Sequence, residues 1–148
     1  MAEGFARAYG SDVLISKSAG LAPAISVSSL TRKVMLEKNI DLGQIYPKSV
    51  DMLAGDFDLV INMSGQRRPF ETQARVEDWD IHDPIGESVQ VYRQVRDEIE
   101  QRIMRLVLAM RSRRPSKSNA PTPDPPARKS HAQAGPAPVD TRRRSPRQ

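Results

Sequence analysis

The sequence predicts an α/β fold on a mainly parallel sheet, followed by a tail that does not fold. Three observations carry this. Two strand-like apolar runs, VLISK at 13–17 and DLVINM at 58–63, are separated by a helical pattern, the alternation that builds parallel sheets covered by helices. A third is a long amphipathic stretch at 88–110, where Tyr92, Val95, Ile99, Ile103, Leu106 and Met110 fall three and four apart and form one apolar stripe. Beyond residue 111 the chain turns to Pro, Ser, Ala and Arg, and Val139 is its one large apolar residue. Such a segment buries too little apolar surface to offset the entropy of ordering. The division is a domain over 1–110 and a disordered basic tail over 111–148.

The elements follow in order. Residues 1–9 (MAEGFARAY) read as an opening helix ended by Gly10, with Gly4 its weak point. The 13–17 strand stops at Ser18-Ala19-Gly20. Residues 25–39 carry Ile25, Leu30, Val34, Met35 and Leu36 at roughly helical spacing and predict a helix. Residues 47–53 predict one or two helical turns, with Pro47 at the first position. The near-continuous run at 58–63 suits a strand covered on both faces. Residues 64–72 form a loop, and 75–81 (RVEDWDI) a further strand with imperfect alternation. Asp83-Pro84 makes a turn, and Ser88 is placed to cap the last helix. Three strands are thin for this architecture; the sheet looks one strand short.

Composition removes several kinds of chemistry. The 148 residues contain no Cys, so no disulfide, thiolate metal site or cysteine nucleophile lies within them. The two histidines, His82 and His131, are far apart, and neither a zinc site nor a cofactor is expected. No run of 18 apolar residues exists to span a membrane, and the first residues lack the features of a signal peptide. The cytoplasm is the expected location. The net charge of +5 is uneven: residues 1–110 hold 13 Lys+Arg against 16 Asp+Glu, and residues 111–148 hold 10 against 2. Basicity therefore belongs to the tail. Its RSRRPSK and DTRRRSPRQ segments could meet an anionic partner, but no aromatic residue is interleaved to stack on bases, which argues against specific nucleic-acid binding.

Several segments together resemble one family. MAEGFAR at 1–7, SAG at 18–20, KNIDLGQIYPKSV at 38–50, DFDLVINM at 56–63, VEDWDIHDP at 76–84 and YRQVRDEIEQRI at 92–103 occur in order. The set resembles the low-molecular-weight protein-tyrosine-phosphatase fold, which also includes the thioredoxin-coupled arsenate reductases, over residues 1 to about 108. The resemblance implies a three-layer domain around a four-stranded parallel sheet, and hydrolysis of phosphotyrosine or a small phosphate monoester. It implies a loop of pattern Cys, five residues, Arg between the first strand and first helix. There backbone N–H groups and the helix N-terminus cradle the phosphate, the thiolate attacks phosphorus, the Arg forks onto two oxygens and an Asp on a later loop protonates the leaving oxygen.

Asp83 matches that general acid; read from the residues alone, it is an Asx turn with Pro84. Ser18 matches a Ser that supports the phosphate loop; a strand-ending Ser is an equal reading. Trp79, the chain's one Trp, reads first as a core aromatic and second as a wall of the cleft beside Asp83. His82 reads first as a solvated His and second as a neighbour that tunes Asp83. Arg67-Arg68 reads as a surface pair sooner than as an anion contact. The stretch NMSGQRRPFETQA after the second strand contains no Cys, where the arsenate reductases carry resolving cysteines. That disfavours a Cys relay and favours the phosphatase branch over an arsenate reductase.

By the resemblance, Met1 falls inside the first helix, and the family's first strand, Cys, loop and Arg precede it. Two expectations compete: a start lying upstream, or a short chain serving as a non-catalytic binding module. Physics favours the first. A central strand of about five apolar residues contributes several kcal/mol, at roughly 1.5–3 kcal/mol per large side chain, against a net domain stability of about 5–15 kcal/mol.

Overall fold

The structure, a computed structural model, describes residues 1–53, 55–67 and 71–113. Its elements in order are α1 (Ala2–Gly10), α2 (Ser29–Leu36), a 3-10 turn (Val50–Met52), β1 (Leu59–Asn62), β2 (Arg75–Asp78) and α3 (Val89–Arg113). β1 and β2 pair in parallel, with Leu59 opposite Arg75 and Asn62 opposite Asp78. The fold is α/β, a parallel sheet with helices packed about it. The expected disordered tail falls on residues 114–148, outside the described residues, as does Arg68. No helix among the described residues is long and apolar enough to cross a membrane.

The core is a seam between three helices. Phe5 and Ala6 of α1, Met35 of α2, Ile40 and Leu42 beyond it, and Val95, Ile99, Ile103 and Val107 of α3 form one buried cluster. The α3 stripe continues through Val107 where the sequence spacing picks out Leu106; Leu106 and Met110 are only half-buried. Val107 is chosen because 99, 103 and 107 are spaced by four and stay on one face. Two glycines allow the close approach. A Cβ on Gly10 would lie 2.7 Å from a methyl of Val107, and one on Gly4 would lie 2.7 Å from Leu42 Cδ2. The Gly4 that weakens α1 locally is thus where Leu42 packs onto it.

Five further expectations are corrected. Residues 13–17 form no strand. The amides of Val13 and Leu14 both donate to Gly10 O at 2.9 Å, prolonging the turn that ends α1. Ile15 is 95% exposed, and Ser16 Oγ is buried without a hydrogen-bond partner. A strand exists only through a neighbour's hydrogen bonds, and none of the described residues supplies one. α2 starts at 29 where 25 is expected. Ser28 Oγ accepts from Thr31 N at 3.1 Å, fixing the first turn there, and Ile25 is left fully exposed. α2 ends before Asn39, whose φ of 58° is left-handed, as suits a helix C-terminus. The 47–53 helix contracts to the 3-10 turn, capped by Ser49. The last strand ends at Asp78, short of 81, and β1 is half-buried except at Asn62, so it is not covered on both faces. At the other end, α3 runs on to Arg113, and Arg111 pairs with Asp12 at 2.7 Å.

Polar contacts fix how α3 sits on α2. Glu37, which caps the C-terminus of α2, accepts a forked pair of bonds from Arg93 at 2.9 and 2.7 Å. Arg96, its side chain 7% exposed, donates to Glu37 at 2.8 Å and to the α2 carbonyl of Val34 at 2.9 Å. Glu100 accepts from Lys38 and from the Tyr9 hydroxyl, each at 2.7 Å, joining α1, α3 and the end of α2. Magnitudes rank these contributions. Each buried aliphatic side chain of the stripe is worth roughly 1.5–3 kcal/mol, and an exposed ion pair about 0–1 kcal/mol. The stripe docks α3, and the charges set its register.

The forked bond from Arg93, with Arg96 behind it, holds the Glu37 carboxyl at about 2 against the opposing effect of burial. A carboxyl whose folded pKa is depressed adds stability above its unfolded pKa and loses it as pH falls through the folded one. Stability therefore falls as pH drops from 4.5 to about 2. Glu37→Gln flattens that part of the profile, checked by urea midpoints across the same range.

Candidate functional site

Of the residues that the sequence singles out, Ser18 lies against the first turn of α1, Asp83 and His82 in the turn before α3, and Trp79 elsewhere, beside the core. Glu3 is 3% exposed, and its carboxylate sits where the helix dipole favours negative charge. The Ser18 hydroxyl donates to Glu3 Oε2. The Arg7 guanidinium, one turn along α1, pairs with Oε1, and Lys48 Nζ lies 3.7 Å from Oε2. The 18–20 loop is anchored from its far side as well. Gly20 N donates to Lys48 O at 2.9 Å, and Val50 N donates to Gly20 O at 3.3 Å, a single parallel bridge between Gly20 and Ser49. Ser18 is thus a fixed support that presses a loop onto the start of α1, and its acceptor is a carboxylate.

Asp83 sits in the turn between β2 and α3. Its Oδ1 accepts from Ile85 N at 3.1 Å, an Asx turn in which Pro84 keeps Asp83 out of helix. Gly86 takes φ 83°, Glu87 N donates to Pro84 O at 2.9 Å, and Ser88 Oγ accepts from Val91 N at 3.4 Å. Asp83 is exposed to solvent. His82 is also exposed, and its Nε2 is 4.0 Å from Glu87 Oε1, so the charged group beside it is Glu87.

Trp79 is half-buried at the edge of the core, where the first of its two readings places it. Its amide donates to Asn62 O at 2.8 Å, extending the ladder beyond β2, and the Arg102 guanidinium lies 5.8 Å from its ring centre. It lines a cleft between the sheet and α3 that includes neither Asp83 nor Ser18. The three residues therefore occupy three places, and no hydrogen bond joins any two of them. Among the described residues no group of three His, Asp or Glu side chains is arranged to hold a metal ion.

Asn62 escaped the sequence reading. It is 7% exposed. Its amide donates to Asp78 Oδ1 and to Gln66 O, each at 2.7 Å, and its oxygen accepts from Ser64 N at 3.1 Å and Ser64 Oγ at 2.8 Å. One side chain thereby orders the loop after β1 against the end of β2. The available signal was an amide inside an otherwise apolar run. Glu3 and Lys48 carried no signal, because their meeting depends on two segments 45 positions apart in sequence.

Comparison with known proteins places this geometry. The sequence model described as low molecular weight phosphotyrosine protein phosphatase matches residues 1–116. The chain is 36% identical over 112 residues to a protein of Synechocystis named glutaredoxin arsenate reductase, spanning 72% of this chain and 85% of that one. It is 33% identical over 90 residues to a putative arsenate reductase of Halobacterium salinarum, spanning 59% and 63%. Among solved structures, an arsenate reductase in the phosphate-binding state superposes with a TM-score of 0.67 at 30% identity, covering 74% of this chain and 86% of the other. An arsenate reductase from Archaeoglobus fulgidus gives 0.64 at 28% identity, covering 72% and 86%.

Ser18→Ala leaves one oxygen of the buried Glu3 carboxylate without its hydroxyl donor. Losing a hydrogen bond to a buried charged group costs about 1–3 kcal/mol. Chemical denaturation should show a loss in that range, and Ser18→Thr, which keeps the hydroxyl, should show a smaller one.

Proposed function

We propose, because the chain belongs to the low molecular weight phosphotyrosine protein phosphatase family, that its scaffold is of the arsenate reductase-like branch, and that the 148-residue chain does not itself catalyse the reaction. The observation that carries the branch is the 36% identity to the glutaredoxin arsenate reductase across 85% of that protein. The Cys-free loop after β1 had favoured the phosphatase branch; the relatives weigh the other way. The observation that carries the lack of catalysis is chemical. Both reactions start with a thiolate attacking a tetrahedral oxyanion, and the chain contains no Cys.

The residues present serve the remaining parts of such a site. Ser18 holds its loop against the first turn of α1, and Gly20 ties the same loop to residues 48–50. Asp83, exposed in a preorganised turn, is the proton donor of the reading, and it has no leaving group to protonate without a nucleophile. Asn62 orders the loop in which the arsenate reductases carry resolving cysteines. A second reading, a non-catalytic binding module, rests on the same missing thiol. The partners are a phosphorylated protein or small phosphate ester where the family's phosphate loop is supplied, and an anionic partner for the basic residues of 111–148, in the cytoplasm.

The purified 148-residue chain is expected to reduce no arsenate with glutathione and glutaredoxin, and to hydrolyse no p-nitrophenyl phosphate. Turnover of either substrate that is abolished by Asp83→Asn would overturn the reading. Thermal melting separates the two readings: a sharp cooperative transition supports the self-sufficient binding module.

A further inference from the structure

A cleft of about 610 Å³ between the sheet and α3 holds more positive charge than it neutralises. Four arginines, Arg75, Arg102, Arg105 and Arg113, line it with two carboxylates, Glu77 and Glu98. Both carboxylates are engaged inside it: Arg75 pairs with Glu77 at 2.7 Å and Arg102 with Glu98 at 2.6 Å. Arg105 and Arg113 are exposed, and neither has an ion-pair or hydrogen-bond partner among the described residues. The excess is local, since residues 1–110 hold 13 Lys+Arg against 16 Asp+Glu. The two free guanidiniums stand eight positions apart on α3, about 12 Å along the helix axis. Between them Leu106 and Met110 are half-buried, and with Leu59 of β1 they form an aliphatic wall. Trp79 adds no free ring face, because it packs on the core and has Arg102 at 5.8 Å. Neither Ser18 nor Asp83 lines the cleft.

We propose that this cleft docks a short extended segment of a partner protein in which two acidic residues flank an apolar one, in the pattern acid-x-apolar-x-acid. In an extended chain alternate side chains share a face, at about 3.3 Å per residue. The two carboxylates of that pattern therefore stand about 13 Å apart on one face, with the apolar side chain between them. This is the spacing of Arg105 and Arg113, with Leu106 and Met110 in the middle. Forked bonds from the guanidiniums fix the ends of the segment, and burial against the aliphatic wall anchors its centre. Other occupants use less of the cleft. A single phosphate or a small dicarboxylate does not span about 12 Å and leaves the wall bare. A nucleic-acid strand brings bases that find no free ring to stack on. Residues 114–148, with eight Lys+Arg against two Asp, repeat the charge of the cleft instead of complementing it.

The test titrates the synthetic peptide GDTLTDG into the full chain by calorimetry. Trp79, the chain's one Trp, lines the cleft, so its emission shows whether binding takes place there. Saturable binding at micromolar to millimolar concentration is expected, with GDTATDG at least about fivefold weaker and GKTLTKG giving no heat. The double variant Arg105→Gln/Arg113→Gln changes exposed positions with no partner to lose. It is expected to keep the thermal midpoint of the unaltered chain and to bind GDTLTDG about tenfold more weakly. The proposal is overturned if millimolar GDTLTDG gives no saturable heat or leaves Trp79 emission unchanged. It is also overturned if the double variant binds the peptide as tightly as the unaltered chain, or if GDTATDG binds as tightly as GDTLTDG. Loss of oligothymidylate or phosphatidylglycerol-vesicle binding in the same double variant overturns it as well, by assigning the two guanidiniums to a nucleic acid or a lipid surface.

Discussion

The packing of one face of α3 against α1 and α2 is the contact on which the rest of the molecule depends. Val95, Ile99, Ile103 and Val107 bury themselves against Phe5, Ala6 and Met35, and the absence of a side chain at Gly10 lets Val107 reach the backbone of α1. Among the described residues the sheet has two short strands, and a two-stranded pair is marginal without a surface to pack on. Trp79 and Ile81, just beyond β2, rest on the helical core. The helices therefore hold the sheet in place, and the turn bearing Asp83 is fixed from both ends, by Trp79 on the sheet side and by the first turn of α3.

Charge refines what apolar burial sets. Arg96 is nearly as buried as the aliphatic residues beside it, and a buried guanidinium without partners would be costly. It has three: Glu37, Asp97 and the Val34 carbonyl. The last is one of the carbonyls that a helix end leaves unsatisfied. One side chain thus settles its own charge and part of the end of α2. The Glu3 cluster follows the same logic at α1, where a buried carboxylate meets Ser18, Arg7 and Lys48. Both clusters draw on segments distant in sequence, which is how this chain ties loops to helices with few strands.

Much of the fold could be read from the residues, and each misreading has a physical cause. The last helix was legible because its period persists over six turns, and DLVINM because β-branched and apolar residues crowd together. VLISK has the same composition and makes no strand, because strand identity lives in the partner and not in the segment. The 25–39 helix lost its first turn to Ser28, a local competitor that outbid an apolar residue at 25. Asp83 and Ser18 were singled out through the ordered resemblance, and the turn at Asp83 was legible from Pro84 alone. Asn62 was hidden by its own surroundings, since a buried amide announces itself only when its partners are known.

The sequence by itself determined the α/β class, the absence of a thiol among the 148 residues and the placing of α3, which follow from residue type and from spacing within one segment, and the family, through the ordered resemblance of several segments. Only the tertiary structure decided that 13–17 forms no strand, that Glu3 receives Ser18, that Asn62 orders the loop after β1 and that Trp79 faces Arg102 in a cleft away from Asp83. The physical reason is range. Periodicity, capping and composition act within a few residues, while hydrogen-bond partners, burial and uncompensated charge depend on which distant segments the packing brings together.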